Sequence, residues 1–286
     1  MLKFIMLIGL PASGKDTWAR KYLEENPDTK MYSSDVIRNE LYGNEETQGN
    51  PHDVFELMRK RTIAALKKDF SVIYNATNVS YKDRKGIIQE VKKIKKEIEI
   101  VAHLFAVPLK ICKMRNENRE RKVPDFVYEK MLRRWQTPCE WEGFDRIVVD
   151  YNDRIENFEH YRKQMMDFDQ QNHHHTKTLG QHCLAASAYL TEKGDDYSFL
   201  AWVMRMHDVG KLFTKSEPDE KGDCHYYSHE NYGAYIVLLC DGLKSAQLVN
   251  YHMLPYNKFN EVWRKRMGED FWNKLMIMNE ADKAAH

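Results

Sequence analysis

Residues 9–18, GLPASGKDTW, hold Gly9, Gly14 and Lys15 at the spacing Gly-x-x-x-x-Gly-Lys. Glycines at these places let backbone N–H groups converge on phosphate oxygens, and a lysine beside them reaches the outer phosphates of a nucleotide. The next residue breaks the pattern. A magnesium-binding hydroxyl is expected there, and Asp16 stands in its place with Thr17 following. Magnesium accepts carboxylate oxygens, so Asp16 is expected to replace the hydroxyl at Mg²⁺, directly or through water, while adding negative charge near a triphosphate. The alternative is a glycine turn without a ligand. Downstream, SSDVIRNEL puts Asp35 and Arg38 three residues apart, on one face at the start of a helix. As chemistry, Asp35 takes the proton of an acceptor hydroxyl and Arg38 clamps a phosphate; as structure alone, they are a helix cap and a surface arginine. The stretch RNENRERKVPDFVYEKMLRRWQTP offers Arg115 and Arg119, as part of a lid, to neutralise a phosphoryl group in transit. It also reads as an ordinary solvated charge run.

The second half carries a different chemistry. A chain with 12 histidines is expected to contain about one His-Asp pair by chance, so a pair alone means little. His52-Asp53 opens a predicted helix and is assigned no metal. His207-Asp208, in VMRMHDVGK, has company: with His182, His229, His252 and Asp282 it distributes ligand-type residues over successive predicted helices. Imidazole and carboxylate converging in a helical bundle make a one- or two-metal site, with histidine favouring a transition metal over magnesium. Each of these histidines singly is as well explained by packing or surface exposure.

The elements that must position these groups are legible as patterns. KFIMLIGL, the glycine loop and DTWARKYLEEN read as strand, loop and helix. Further strands are expected at 30–34, 70–76, 98–107 and 146–150, alternating with helices, which predicts a parallel sheet covered on both faces. After about residue 155 only amphipathic helical patterns remain. The expected division is 1–155, a linker at 156–175 containing the histidine triplet, and 176–286. Across 286 residues the net charge is +1, which excludes a uniformly basic nucleic-acid binder, though the basic surplus lies in the first half. Five cysteines without a C-x-x-C pair argue against a zinc knuckle or disulfide framework and fit a reducing cytoplasm. FIMLIGL reads as a buried strand rather than a signal peptide, and no apolar run is long enough for a membrane span.

Taken together, GLPASGKDTWARKYLEENP, SSDVIRNEL, VIYNATNVSYKDRK and RNENRERKVPDFV followed by MLRRWQTP resemble the 5′-hydroxyl polynucleotide kinase domains of phage and bacterial RNA and DNA end-repair enzymes, over roughly residues 1–150. The resemblance implies ATP with Mg²⁺, and Lys15, Asp35, Arg38 and Arg119 as the working residues. It implies Gly9, Gly14, Lys15, Asp16 and Thr17 around the nucleotide, with Arg38, Thr77, Asn78, Arg84 and Arg115 toward the substrate. Besides Asp16, one departure stands out: an acceptor-site Asp-Thr-Asn is Ala76-Thr77-Asn78 here, so that carboxylate is missing.

MHDVGK and HYYSHENYGA in turn resemble the HD-domain phosphohydrolases. That resemblance implies a first metal on His182, His207, Asp208 and Asp282, and a second on His229 and His252, with a divalent transition metal such as Mn²⁺. Lys211 is then expected to contact a phosphate, with His175 or His225 in the outer shell. Asp282 lies four residues from the end of the chain, where fraying is common. The whole is therefore expected to be an α/β P-loop kinase domain followed by an all-α HD domain, a bifunctional end-healing enzyme. It would phosphorylate 5′-OH ends of RNA or DNA and remove 3′-phosphate or 2′,3′-cyclic phosphate ends, leaving the joining to a separate ligase. A small-molecule or nucleoside kinase fused to an HD nucleotidase, and an ATP sensor controlling a phosphohydrolase, remain as alternatives.

Overall fold

The computed structural model describes residues 1–43, 49–94, 96–151, 156–173, 176–257 and 260–286. Residue 155, where the first domain was expected to end, and His175 lie outside the described residues. The chain divides into two compact units, Met1–Glu129 with Pro138–Asn152, and Lys130–Thr137 with Asp153–His286.

The first unit is built on five parallel strands: β1 (Leu2–Ile8), β2 (Thr29–Ser33), β3 (Ser71–Asn75), β4 (Ile98–Ala106) and β5 (Arg146–Tyr151). Their order is β2-β3-β1-β4-β5. Central strands of a parallel sheet are covered on both faces and so read as continuous apolar runs rather than alternation. Phe4 to Ile8 of β1 are accordingly buried without a break. The crossovers carry α1 (Lys15–Glu25), α2 (Ser34–Tyr42), α3 (Pro51–Lys67), α4 (Tyr81–Lys92), α5 (Leu109–Glu117) and α6 (Asp125–Leu132). Parallel pairing brings the carboxyl ends of β1, β2 and β3 side by side, Leu7 opposite Asn75 and Asn75 opposite Ser33. The glycine loop, Asp35 and the Ala76-Thr77-Asn78 turn therefore leave the sheet from one edge, where ligands of open α/β sheets bind.

Every described element of the second unit beyond residue 156 is helical: α7 (Phe158–Asp167), α8 (Leu179–Glu192), α9 (Ser198–Met204), α10 (Lys211–Thr214), α11 (His229–Cys240), α12 (Leu243–Tyr251), α13 (Asn260–Met267) and α14 (Glu269–Ala284), with short 3₁₀ turns between. The stretch expected as a linker contains α7, which packs on α8. The close approach is made at Gly180, where a Cβ would meet the Met166 backbone at 2.8 Å. Asp282 sits within α14, which packs on α8 and α9. Residues 130–137 also belong here. Trp135 is fully buried with its ring edge-on to Tyr235, and Asn250 accepts from the Thr137 N–H and donates to the Trp135 carbonyl.

Candidate functional site

In the first unit the glycine loop closes on itself around its lysine. The Lys15 ammonium donates to the carbonyls of Gly9 (3.0 Å) and Leu10 (2.6 Å) and to Ser13 Oγ (3.3 Å). Burial lowers its pKa to about 8, against neighbouring Asp16, which favours the charge. The loop turns through left-handed backbone at Ala12 (φ 59°) and Gly14 (φ 100°). Gly14 caps α1, whose first N–H groups have no intrahelical acceptor and face an anion with the positive end of the helix dipole. At Gly9 a Cβ would strike Ser13 Oγ at 2.8 Å, so only glycine fits. A cleft of about 610 Å³ opens over the loop, and Lys15, Asp16, Thr17, Arg115, Arg119 and Phe105 are among its lining residues. A Cβ on Gly14 would lie 3.9 Å from the Arg115 guanidinium, which places that arginine over the loop.

The misfit residue Asp16 is oriented rather than loose: its Oδ1 accepts from Asn75 Nδ2 at 2.6 Å. Asp35 accepts from Arg38 at 2.6 Å and from Arg121 at 3.3 Å, so the first turn of α2 presents a carboxylate between two guanidinium groups. Arg121 and Asn75 were not singled out by sequence. Arg121 is one of several arginines in an unpatterned run, but Asn75 ends a strand beside the loop, a position that topology could have flagged. Thr77 contributes its carbonyl to the Gly9 N–H. Asn78, in left-handed backbone (φ 47°), donates to the Leu7 carbonyl and is buried, bracing β1 against the turn. Arg84 requires a correction. Expected toward substrate, it is fully buried, doubly bonded at 2.7 Å to Glu142 and donating to the Asn78 carbonyl at 3.0 Å. The signal was its place in the first turn of α4, behind the Ser80–Asp83 capping box, which turns it inward.

In the second unit the structure brings His182, His207, Asp208, His229, His252 and Asp282 together, all of them at most 8% exposed. Asp208 lies at the centre, with its two oxygens facing different partners. Oδ1 is 3.1 Å from His229 Nε2 and 3.5 Å from His252 Nε2. Oδ2 is 3.5 Å from His207 Nε2, 3.7 Å from His182 Nε2 and 2.7 Å from Lys211 Nζ. Asp282 Oδ1 meets His182 at 2.9 Å and His207 at 3.3 Å, and its Oδ2 accepts from Tyr256 at 2.7 Å. Local backbone makes this possible. Gly210 packs so tightly on α11 that a Cβ would fall 2.0 Å from the His229 carbonyl, which lets the His207-Asp208 turn reach the start of that helix.

The donor set fits a metal on a specific observation. The Nδ1 atoms of His207, His229 and His252 lie 2.8, 2.8 and 2.6 Å from the carbonyls of Met204, Tyr226 and Val249, each three residues earlier. Those bonds assign the proton to Nδ1 and aim the Nε2 lone pairs inward, the usual outer support of a metal-binding histidine. His229 Nε2 and His252 Nε2 then face each other at 3.4 Å beside a carboxylate. A pocket of converging acceptors needs a cation, either a proton or a metal ion. The electrostatics of the cluster point the same way. Burial opposes charge on His207, yet Asp208 overrides it and holds the imidazole well above its ordinary pKa. Burial likewise opposes ionisation of Asp208, which Lys211 and His207 more than offset, holding it well below the carboxylate range.

Lys211, expected on a phosphate, is bonded to Asp208 at 2.7 Å and to Gln170 at 3.0 Å, two bonds that use two of the three N–H donors of its ammonium. His225, expected in the outer shell, is instead held by Asp219 and stacks on Tyr227. Tyr256 and Gln170 were not legible beforehand, because they enter the cluster from a 3₁₀ turn and from the polar stretch before α8. Among the described residues no helix is long and apolar enough to cross a membrane, and all five cysteines are free thiols.

Residues 4–138 match a family model described as an AAA domain. L-seryl-tRNA(Sec) kinase of Methanococcus maripaludis is 28% identical over 159 residues, a match that covers 53% of this chain and 60% of that protein. Among solved structures, a fungal RNA kinase is 16% identical with a TM-score of 0.40, covering 55% of this chain and 78% of its own. A chain of the Pnkp1/Rnl/Hen1 RNA repair complex is 24% identical with a TM-score of 0.39, covering 46% and 42%. The first unit has the parallel-sheet α/β fold of a P-loop kinase.

Proposed function

We propose that the chain is a two-activity enzyme of nucleic-acid ends: an ATP-dependent kinase of 5′-OH termini and a metal-dependent phosphohydrolase of 3′-phosphate or 2′,3′-cyclic phosphate termini. The observation that carries this reading is the coexistence in one chain of two phosphate chemistries. One is a phosphate loop beside an Asp–Arg pair, and the other is four imidazoles packed around a carboxylate. Cleavage that leaves a 5′-OH and a cyclic phosphate blocks both ends from joining, and these two activities together would unblock them. The relative named as an L-seryl-tRNA(Sec) kinase agrees with a hydroxyl acceptor on the first unit.

In the kinase reaction Lys15 exchanges the carbonyls of Gly9 and Leu10 for the β/γ oxygens of ATP. Asp35 takes the proton of the attacking hydroxyl, held in position by Arg38 and Arg121. Arg115 and Arg119 line the same cleft as the loop, where they would face the charge that develops on the transferring group. Asp16, oriented by Asn75, is the residue that would hold Mg²⁺. In the second unit His182, His207, Asp208 and Asp282 would hold one divalent ion and His229 and His252, with the other oxygen of Asp208, a second. Ions there supply a nucleophilic hydroxide at neutral pH and neutralise phosphate charge. Lys211 has a third N–H donor for the substrate phosphate. One water converts a 3′-phosphate to an alcohol and phosphate, whereas a cyclic end takes two, the first opening the ring to a phosphomonoester.

An oligonucleotide bearing 5′-OH and 2′,3′-cyclic ends, incubated with ATP and different divalent ions, tests both activities. Lys15→Ala is expected to abolish only 5′ phosphorylation, and Asp208→Ala only the 3′-end reaction; loss of both in either variant refutes two separate sites. A second reading, a small-molecule or nucleoside acceptor, gains from the burial of Arg84, which removes one cation from the acceptor side. A KM that is independent of oligonucleotide length and of salt would select it.

A further inference from the structure

His286 belongs to no ligand set considered above, yet it stands one turn beyond Asp282, where α14 ends. Its ring lies beside that of His182, with centroids 5.0 Å apart and planes inclined by 39°. A ring nitrogen of His286, a nitrogen of His182 and a carboxylate oxygen of Asp282 all fall within 4.8 Å of one another, a spacing that one ion can span.

The turn that presents His286 is held from two directions. Ala285 is 2% exposed and its N–H bonds back to the Asp282 carbonyl at 3.2 Å. Its own carbonyl accepts from Lys177 Nζ at 2.6 Å. Lys177 directly precedes Thr178, the cap of α8, and α8 carries His182. One side chain therefore ties the end of the helix bearing Asp282 to the start of the helix bearing His182, and His286 follows the tied residue. Unlike the six inner residues, His286 is exposed, which places it on the solvent side of the cluster.

We propose that His286 is a further ligand of the metal held by His182, His207, Asp208 and Asp282. The proposal rests on reading that cluster as a metal site. It makes the two ion positions unequal. Three imidazoles would face the ion on the Asp282 side and two the ion beside His229 and His252, so the first favours a nitrogen-preferring transition metal and the second tolerates Mn²⁺ or Mg²⁺.

The test uses the full chain, stripped with chelator and titrated separately with Mn²⁺ and Co²⁺, in wild type and His286→Ala. Circular dichroism verifies the fold, and His182→Ala serves as the comparator for loss of an inner ligand. His286→Ala is expected to weaken one ion about tenfold or more and leave the other unchanged. Pulsed electron paramagnetic resonance of a Cu²⁺-loaded form with ¹⁵N-labelled histidine, Cu²⁺ being drawn to the position richer in imidazole, is expected to count one fewer coordinated nitrogen in His286→Ala. Unchanged affinities and nitrogen count in a folded His286→Ala protein, alongside a weakened His182→Ala, overturn the role of His286 alone. A wild-type chain that takes up neither ion overturns the metal-site reading and the proposal with it.

Discussion

Lys15 illustrates how a single residue couples fold, protonation and ligand. Burial holds its pKa near 8, below the ordinary 10.5, so the folded loop binds a proton more weakly than the unfolded chain. The ligand-free first unit should therefore gain stability as pH rises from about 8 toward 10.5, where only the unfolded state still binds that proton. A polyphosphate reverses the balance, because negative charge beside the ammonium raises its pKa. ATP binding at about pH 8.5 is then expected to take up protons, visible as a calorimetric enthalpy that differs between buffers of different ionisation heat. Proton release, or none, would contradict a lysine that moves onto the phosphates. Asp16 supports a second expectation. Asp16→Ser should retain or raise phosphoryl transfer and shift its Mg²⁺ dependence, whereas complete loss would assign Asp16 another task. Residue types and spacing were enough to nominate Lys15, Asp35, Arg38 and the six inner residues of the helical unit. They were not enough for Asn75, Arg121 or Tyr256, whose roles come from where the chain folds back rather than from a motif. Arg84 shows the converse, since an arginine near motif residues was expected toward the substrate and is buried against Glu142.

At the scale of elements, the five strands and the helices between them were readable because a doubly covered parallel sheet leaves apolar runs that amphipathic helices interrupt. The helix α7 was not, because its polar surface and its place beside a histidine-rich stretch made it look like a connection; what makes it part of the unit is packing on α8 at Gly180. The tie between α4 and the turn at Glu140–Glu142 was equally silent, since it depends on two charges far apart in sequence. Removing one partner of a fully buried ion pair leaves the other uncompensated. Arg84→Ala is accordingly expected to destabilise the first unit by about 3–5 kcal/mol in urea unfolding. The variant's KM for a 5′-OH end, measured where it is folded, should stay within about twofold, because the guanidinium is engaged with Glu142 and Asn78 rather than with substrate. A large KM effect with unchanged stability would restore Arg84 to the substrate side.

For the molecule as a whole, two compact units, each with its own candidate site, predict two calorimetric transitions. ATP with Mg²⁺ should raise one and Mn²⁺ alone the other, each by mass action on its own folded unit; a single transition moved equally by both ligands would argue against that independence. The excursion of residues 130–137 also governs how the chain can be dissected. A gene break placed after residue 152 keeps the first unit whole but strands Trp135 and Thr137 on the wrong fragment, leaving Tyr235 and Asn250 without their neighbours. A break before residue 130 keeps the second unit's residues together but takes Pro138–Asn152, with β5, away from the sheet. No single junction yields both units intact, so any two-fragment dissection of the chain is expected to leave one fragment short of its packing partners.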